Sequence, residues 1–187
     1  MTIRSPARAD EGAGGGLAAL IASAEGYGDA LPPVEKWEPD FCGDIDMVLR
    51  ADGTWMHEGS PIGRKRLVRL FSTVLRRDDD GETYLVTPVE KLRVSVEDAP
   101  FLAVEMQTEG DALVFRTNVG DVVEAGPDHP IRFEREEGTD GVKPYLHVRG
   151  RLEALVNRAV TYDLIERAEE VDGRLVVRSN GATFPIE

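Results

Sequence analysis

Cysteine is all but missing: Cys42 stands alone among 187 residues. No internal disulfide can form, and one reduced thiol suits a reducing compartment. Long apolar runs are missing too. The stretch Leu17–Ala22 falls far short of the ~20 residues that a spanning helix needs. Arg4 and Arg8 followed by Ala22-Ser23-Ala24 have the outline of an export signal, but Asp10 and Glu11 interrupt it and the apolar centre is too short. The expectation is a cytoplasmic protein with no membrane span. Basic residues are in deficit, with 22 Lys and Arg against 35 Asp and Glu and a net charge of −13. A field of that sign repels a phosphate backbone, so a nucleic-acid polymer is not an expected partner. Histidine is scarce: His57, His129 and His147 are too widely spaced for a paired zinc motif.

What is present is ordinary globular composition, 41% hydrophobic and 30% charged. Residues 1–16 are polar and Gly-rich and read as a disordered tail. Leu17, Leu20, Ile21 and Ala24 then recur at helical spacing. Two longer stripes predict helices over Pro61–Arg77 and Arg151–Glu170, the first with Ser60 as N-cap. Between and after them, alternating segments and Gly turns predict strands. They are Ile45–Leu49, Thr54–His57, Glu82–Val86, Leu92–Val96, Phe101–Gln107, Ala112–Thr117, Ile131–Phe133, Tyr145–Val148, Leu175–Arg178 and Thr183–Ile186. Asp52-Gly53 predicts a type I′ turn. Hairpin, helix and strand follow one another at Ile45–Val86 and again at Ile131–Val177. The expected fold is therefore α+β, with two β-rich domains of related topology, each a curved antiparallel sheet packed on one long helix. The expected division is an N-terminal domain at 17–88 and a C-terminal domain at 89–187, with the hinge near Thr87-Pro88.

Familiar catalytic patterns fail on inspection. Gly59-Ser60-Pro61 is not a nucleophile elbow, and the Gly run at 12–16 precedes no strand and carries no Lys-Ser/Thr. Asp44 and Asp46 share a strand face, which suits either a divalent cation or pairing with an Arg. The most informative feature is the cluster Arg64, Lys65 and Arg66 at the start of the first helix. Cations there oppose the helix dipole. An anion site would explain them. So would neutralisation by Glu58 or Asp44. Arg149 and Arg151 repeat the pattern before the second helix. The polar turns Val96–Pro100 and Thr117–Asp121 read either as turn chemistry or as the rim of a ligand site.

Several stretches carry a family resemblance. They are Pro32-Pro33 with Trp37 and Pro39, Cys42–Met47, Asp52–Trp55, Gly59–Ile62, Tyr84–Lys91, Val96–Phe101, Thr117–Asp121, His129-Pro130 and Pro144–Leu146. In order and wording they resemble the bacterial domain-of-unknown-function family numbered 1285, from about Leu31 to the C-terminus. The resemblance implies a duplicated two-domain β-rich fold, with a C-terminal half loosely like pleckstrin-homology domains. It also implies a nucleotide-like ligand at the domain interface, a role in signalling, and a signalling protein as a further partner. It supplies no catalytic residue. Together with the cationic helix start, it points to a non-catalytic regulatory protein for a small anionic ligand. In that reading Arg64 and Lys65 supply charge, and Lys91, Asn118, Asp121 and Arg149 supply specificity. The alternatives are a metal-dependent phosphate-ester hydrolase built on Asp44 and Asp46, and a protein-interaction module without a small ligand. No metal or organic cofactor is identified.

Overall fold

The computed structural model describes residues 13–187. Helix α1 (Ala13–Glu25) opens it. Ala13–Gly16, expected in the disordered tail, form its first turn; residues 1–12 lie outside the described part of the chain. Leu20 and Ala24 are buried against the core, and packing of that face outweighs the poor helix propensity of the glycines. A 3₁₀ turn at Val34–Lys36 leads into the first sheet.

That sheet contains β1 (Phe41–Leu49), β2 (Trp55–His57), β3 (Ser60–Pro61), β4 (Leu75–Arg77), β5 (Thr83–Val86) and β6 (Lys91–Val96). Helix α2 (Lys65–Ser72) lies between β3 and β4. The second sheet contains β7 (Phe101–Glu109), β8 (Ala112–Thr117), β9 (Val122–Glu124), β10 (Ile131–Arg135), β11 (Val142–Arg149) and β12 (Leu152–Val156). Helix α3 (Arg158–Ile165) follows, then a small sheet of β13 (Glu169–Val171), β14 (Arg174–Ser179) and β15 (Ala182–Pro185).

The two large sheets have one topology. Their orders are β3-β2-β1-β6-β5-β4 and, read from the other edge, β9-β8-β7-β12-β11-β10. Each is a pair of three-stranded meanders, joined where the first and last strands lie side by side. The architecture is thus α+β with two related six-stranded sheets. The repeat runs from β1–β6 to β7–β12, not from Ile45–Val86 to Ile131–Val177. Nor is either sheet wholly antiparallel, because β1·β6 and β12·β7 are parallel contacts. Alternation in sequence marks a strand but not its neighbour. Because β6 pairs with β1 and β5, the chain changes sheet between Val96 and Phe101 rather than at Thr87-Pro88.

Neither expected long helix survives at full length. Arg64, not Ser60, is the N-cap of α2, and Ser60-Pro61 are strand. Beyond Ser72 the chain straightens into β4, where Leu75 faces Leu85. Residues Leu152–Val156 alternate buried and half-buried in a strand. Only then does Asn157 start a helix, accepting a 2.8 Å bond from the Val160 N–H. Both α2 and α3 have eight residues. The Asp52-Gly53 turn is not type I′, because only Gly53 has a positive φ, at 87°. Asp52 instead accepts a bond from the Thr54 N–H at 2.9 Å.

One apolar core runs through both large sheets, with Phe71, Leu85, Phe101, Phe115 and Leu146 fully enclosed. No helix among the described residues is long and apolar enough to cross a membrane.

Candidate functional site

Three of the residues singled out from sequence converge where the second domain meets α2. The turn Thr117–Asp121 is closed by bonds between its ends, Thr117 N–H to the Asp121 carbonyl at 2.9 Å and Asp121 N–H to Thr117 Oγ1 at 3.0 Å. Asn118 bridges the domains. Its Oδ1 accepts from the Leu102 N–H at 3.0 Å, and its Nδ2 donates to the Gly53 carbonyl at 3.2 Å. A Cβ on Gly53 would lie 3.0 Å from Asn118 Nδ2 and push it by a few tenths of an ångström, and the φ of 87° there favours glycine on its own.

Asp121 lies between two guanidinium groups. Arg69 of α2 donates from Nη1 to Asp121 Oδ1 at 2.8 Å and to the Val119 carbonyl at 2.9 Å. Arg149, at the end of β11, donates from Nη1 to Asp121 Oδ2 at 2.7 Å and from Nη2 to the Ser72 carbonyl at 2.7 Å. That second bond satisfies a carbonyl in the last turn of α2. The Arg149 guanidinium also rests on the Phe101 ring, 4.9 Å from its centroid. Burial pushes the Asp121 carboxyl up, but Arg149 and Arg69 outweigh it and hold the group below the ordinary carboxylate value.

Arg64 and Lys65 are exposed at the start of α2, and Arg64 makes no side-chain cap. Among the described residues, neither they nor Arg66 form an ion pair. Glu58 does not neutralise them, and Asp44 is bonded by Arg93 Nε at 2.7 Å and Nη2 at 3.1 Å. Lys65 and Arg69 are four residues apart on α2, hence on one helix face. Arg69 escaped the sequence reading because, inside the stripe Leu67–Phe71, a lone cation looks like an ordinary solvated residue. The clue available was its spacing from Lys65.

Two expected placements fail. Arg149 and Arg151 flank the β11–β12 turn rather than a helix start, and Arg151 pairs with Asp79 of the first domain. Their spacing resembled that of a helix start because the following strand, Leu152–Val156, also fits a helical stripe. Lys91 belongs to a different cluster. Its ammonium bonds Asp78 Oδ2 at 3.1 Å and lies 4.6 Å from the Tyr84 ring centre. Asp78 is shared with Arg76, and Lys91 makes no bond to Asp121, Arg69 or Arg149.

Asp44 borders an open groove of about 550 Å³ with Glu82, Arg93 and Ser95. The Arg93 guanidinium takes both of its carboxylate oxygens. Among the described residues, no three His, Cys, Asp or Glu side chains are placed to hold a metal ion.

The comparisons with known proteins agree with one another. Residues 32–99 match the model of the N-terminal domain of DUF1285, described as a domain of unknown function. Residues 100–186 match the model of the C-terminal domain of that family. A crystal structure of a DUF1285 family protein from Silicibacter pomeroyi DSS-3 is 45% identical, with 89% of this chain and 93% of that chain covered and a TM-score of 0.81. Another, from Shewanella baltica OS155, is 27% identical, covering 65% of this chain and 91% of that chain with a TM-score of 0.52. No curated protein matches the chain.

Proposed function

The chain belongs to the DUF1285 family, and from that premise we propose that it is a non-catalytic cytoplasmic regulator that binds a small anionic, nucleotide-like ligand where its domains meet. The observation that supports this reading is a local surplus of positive charge. Arg69 and Arg149 share the single carboxylate of Asp121. On the same helix, Lys65 and Arg64 are exposed without a carboxylate partner among the described residues. The protein as a whole carries −13. Gathered at one junction, these cations make a local attractor for a small anion within an otherwise negative field. A ligand held between α2 and the Thr117–Asp121 turn would couple occupancy to the fit of the two domains, as a sensor requires. Lys91, engaged by Asp78, is left out of this site.

A thermal-shift series of nucleotides and phosphorylated metabolites at about 1 mM tests the reading. A ligand at 100 times its Kd stabilises by about 2.7 kcal/mol, or several degrees at roughly 2–4 °C per kcal/mol. One nucleotide class is expected to raise Tm. The double variant Arg64→Gln, Lys65→Gln should lose that rise while keeping its own Tm. A flat response to every anion overturns the reading and favours a protein-interaction module.

A further inference from the structure

We infer that Asp121 is a built-in competitor for the anion position, so that the ligand binds by taking over the place of the carboxylate between Arg69 and Arg149. The inference rests on the anion-binding reading above and adds to it a device that sets affinity.

Each guanidinium is held by more than the Asp121 carboxylate. Arg69 is fixed by the Val119 carbonyl at 2.9 Å as well as by Asp121. Arg149 is fixed by the Ser72 carbonyl at 2.7 Å and by the face of Phe101. Each cation therefore keeps an anchor when the carboxylate leaves. Asp121 divides its oxygens, Oδ1 toward Arg69 and Oδ2 toward Arg149. Two oxygens on one central atom, each taking one guanidinium, is also what a phosphate group offers. The exchange is electrostatically favourable. A phosphate brings more negative charge than the carboxylate to a site with two guanidinium groups. The Asp121 backbone is held within the turn, its N–H donating to Thr117 Oγ1 at 3.0 Å and its carbonyl accepting from the Thr117 N–H at 2.9 Å, so displacement needs only rotation of the side chain. Arg69 is on the first domain and Asp121 on the second. Displacement thus removes one interdomain ion pair and substitutes a ligand-mediated one, with the Asp121 side chain as the moving part while the turn backbone keeps the Val119 carbonyl on Arg69.

The test uses inorganic pyrophosphate, titrated calorimetrically into the full chain at low salt. Asp121→Asn keeps the shape and removes the competing charge. It should bind pyrophosphate at least about tenfold more tightly than the wild type. Adding Arg149→Gln to that variant should abolish the gain. A second measurement needs no variant. The side-chain carboxylate resonance of Asp121 in the wild type should shift as pyrophosphate binds, because both of its guanidinium partners are taken over. Equal or weaker binding by Asp121→Asn, or an Asp121 carboxylate resonance that stays put at saturation, overturns the inference. Failure of the underlying reading looks different: neither the wild type nor Asp121→Asn takes up pyrophosphate or any other anion.

Discussion

The two large sheets place the same pair of residues at the same position and use it differently. In the first, Arg76 on edge strand β4 faces Tyr84 on β5. In the second, Arg132 on edge strand β10 faces Tyr145 on β11. Each tyrosine hydroxyl donates to an aspartate, Tyr84 to Asp80 at 2.5 Å and Tyr145 to Asp98 at 2.6 Å. Both phenols are pushed up to about 12. For Tyr84 the bond to Asp80 is the main cause, and for Tyr145 it is burial. The arginines differ in their surroundings. Segment 32–40 folds over the first sheet, and Arg76 becomes its anchor, donating to the Val34 and Trp37 carbonyls at 2.7 and 2.6 Å and to Asp78. Among the described residues nothing comparable covers Arg132, whose half-exposed guanidinium bonds Glu134 and Glu153 and stacks on Tyr145. One scaffold thus holds a buried clamp in one copy and a surface network in the other.

Removing each arginine gives the widest separation between the copies. Arg76→Met leaves Asp78 and two carbonyls without their donor in a buried setting. It should cost about 3–5 kcal/mol. Arg132→Met removes exposed pairs and should cost about 1 kcal/mol or less. Urea denaturation at neutral pH measures both. Similar losses would mean that burial is not what distinguishes the two sheets.

Acid sharpens the same contrast at smaller amplitude. Burial pushes Asp78 up, but bonds from Arg76 and Lys91 more than reverse this and leave its pKa lowered. Asp98 is likewise raised by burial and lowered further by Lys143 and Tyr145. A lowered folded pKa gives stability that is complete above the unfolded value of about 4 and is lost as pH falls through the folded value. The wild type should therefore weaken as pH drops below about 4. Asp78→Asn and Asp98→Asn should each flatten that decline, Asp78→Asn the more because two cations bond Asp78 directly and one bonds Asp98. Denaturant midpoints at pH 3 and pH 7 decide the matter, and equal slopes in both variants would remove the charge-count argument.

The strands of this fold were legible because polar and apolar residues alternate along them. Their partners were not. Nothing in Phe41–Leu49 or Lys91–Val96 says that these strands lie side by side and parallel. The segment after Gly150 misled for a definable reason. Leu152, Leu155 and Val156 suit a helical stripe, while Leu152, Ala154 and Val156 suit a strand, and the sheet decided between them. Asn157, a good cap three residues before Val160, was the missed marker of the true helix start. At the junction, Asn118 and Asp121 were reached through a polar turn and the family resemblance, and Arg149 through a cationic pair that looked like a helix start, whereas Arg69 needed the three-dimensional contact with Val119 and Asp121. Sequence spacing sees one side of a domain interface at a time.

The finest difference between regions lies at the hairpin tips. The β14–β15 tip is Asn180-Gly181, with φ of 46° and 73°. The β2–β3 tip has the same left-handed pair, φ of 50° and 76°, but its first residue is Glu58. Asparagine tolerates that conformation better than a longer side chain does, because its short amide can bond the local backbone. Glu58 makes no side-chain hydrogen bond or ion pair among the described residues that would offset the strain. Glu58→Asn should therefore raise stability by ~1 kcal/mol or less. The reverse change, Asn180→Glu, should lower it by more, because the Asn180 side chain also packs against Gly126. Matched urea midpoints would reveal both shifts. A loss of stability in Glu58→Asn would mean that the glutamate carboxylate itself supports the first sheet, and that the two tips are alike only in backbone.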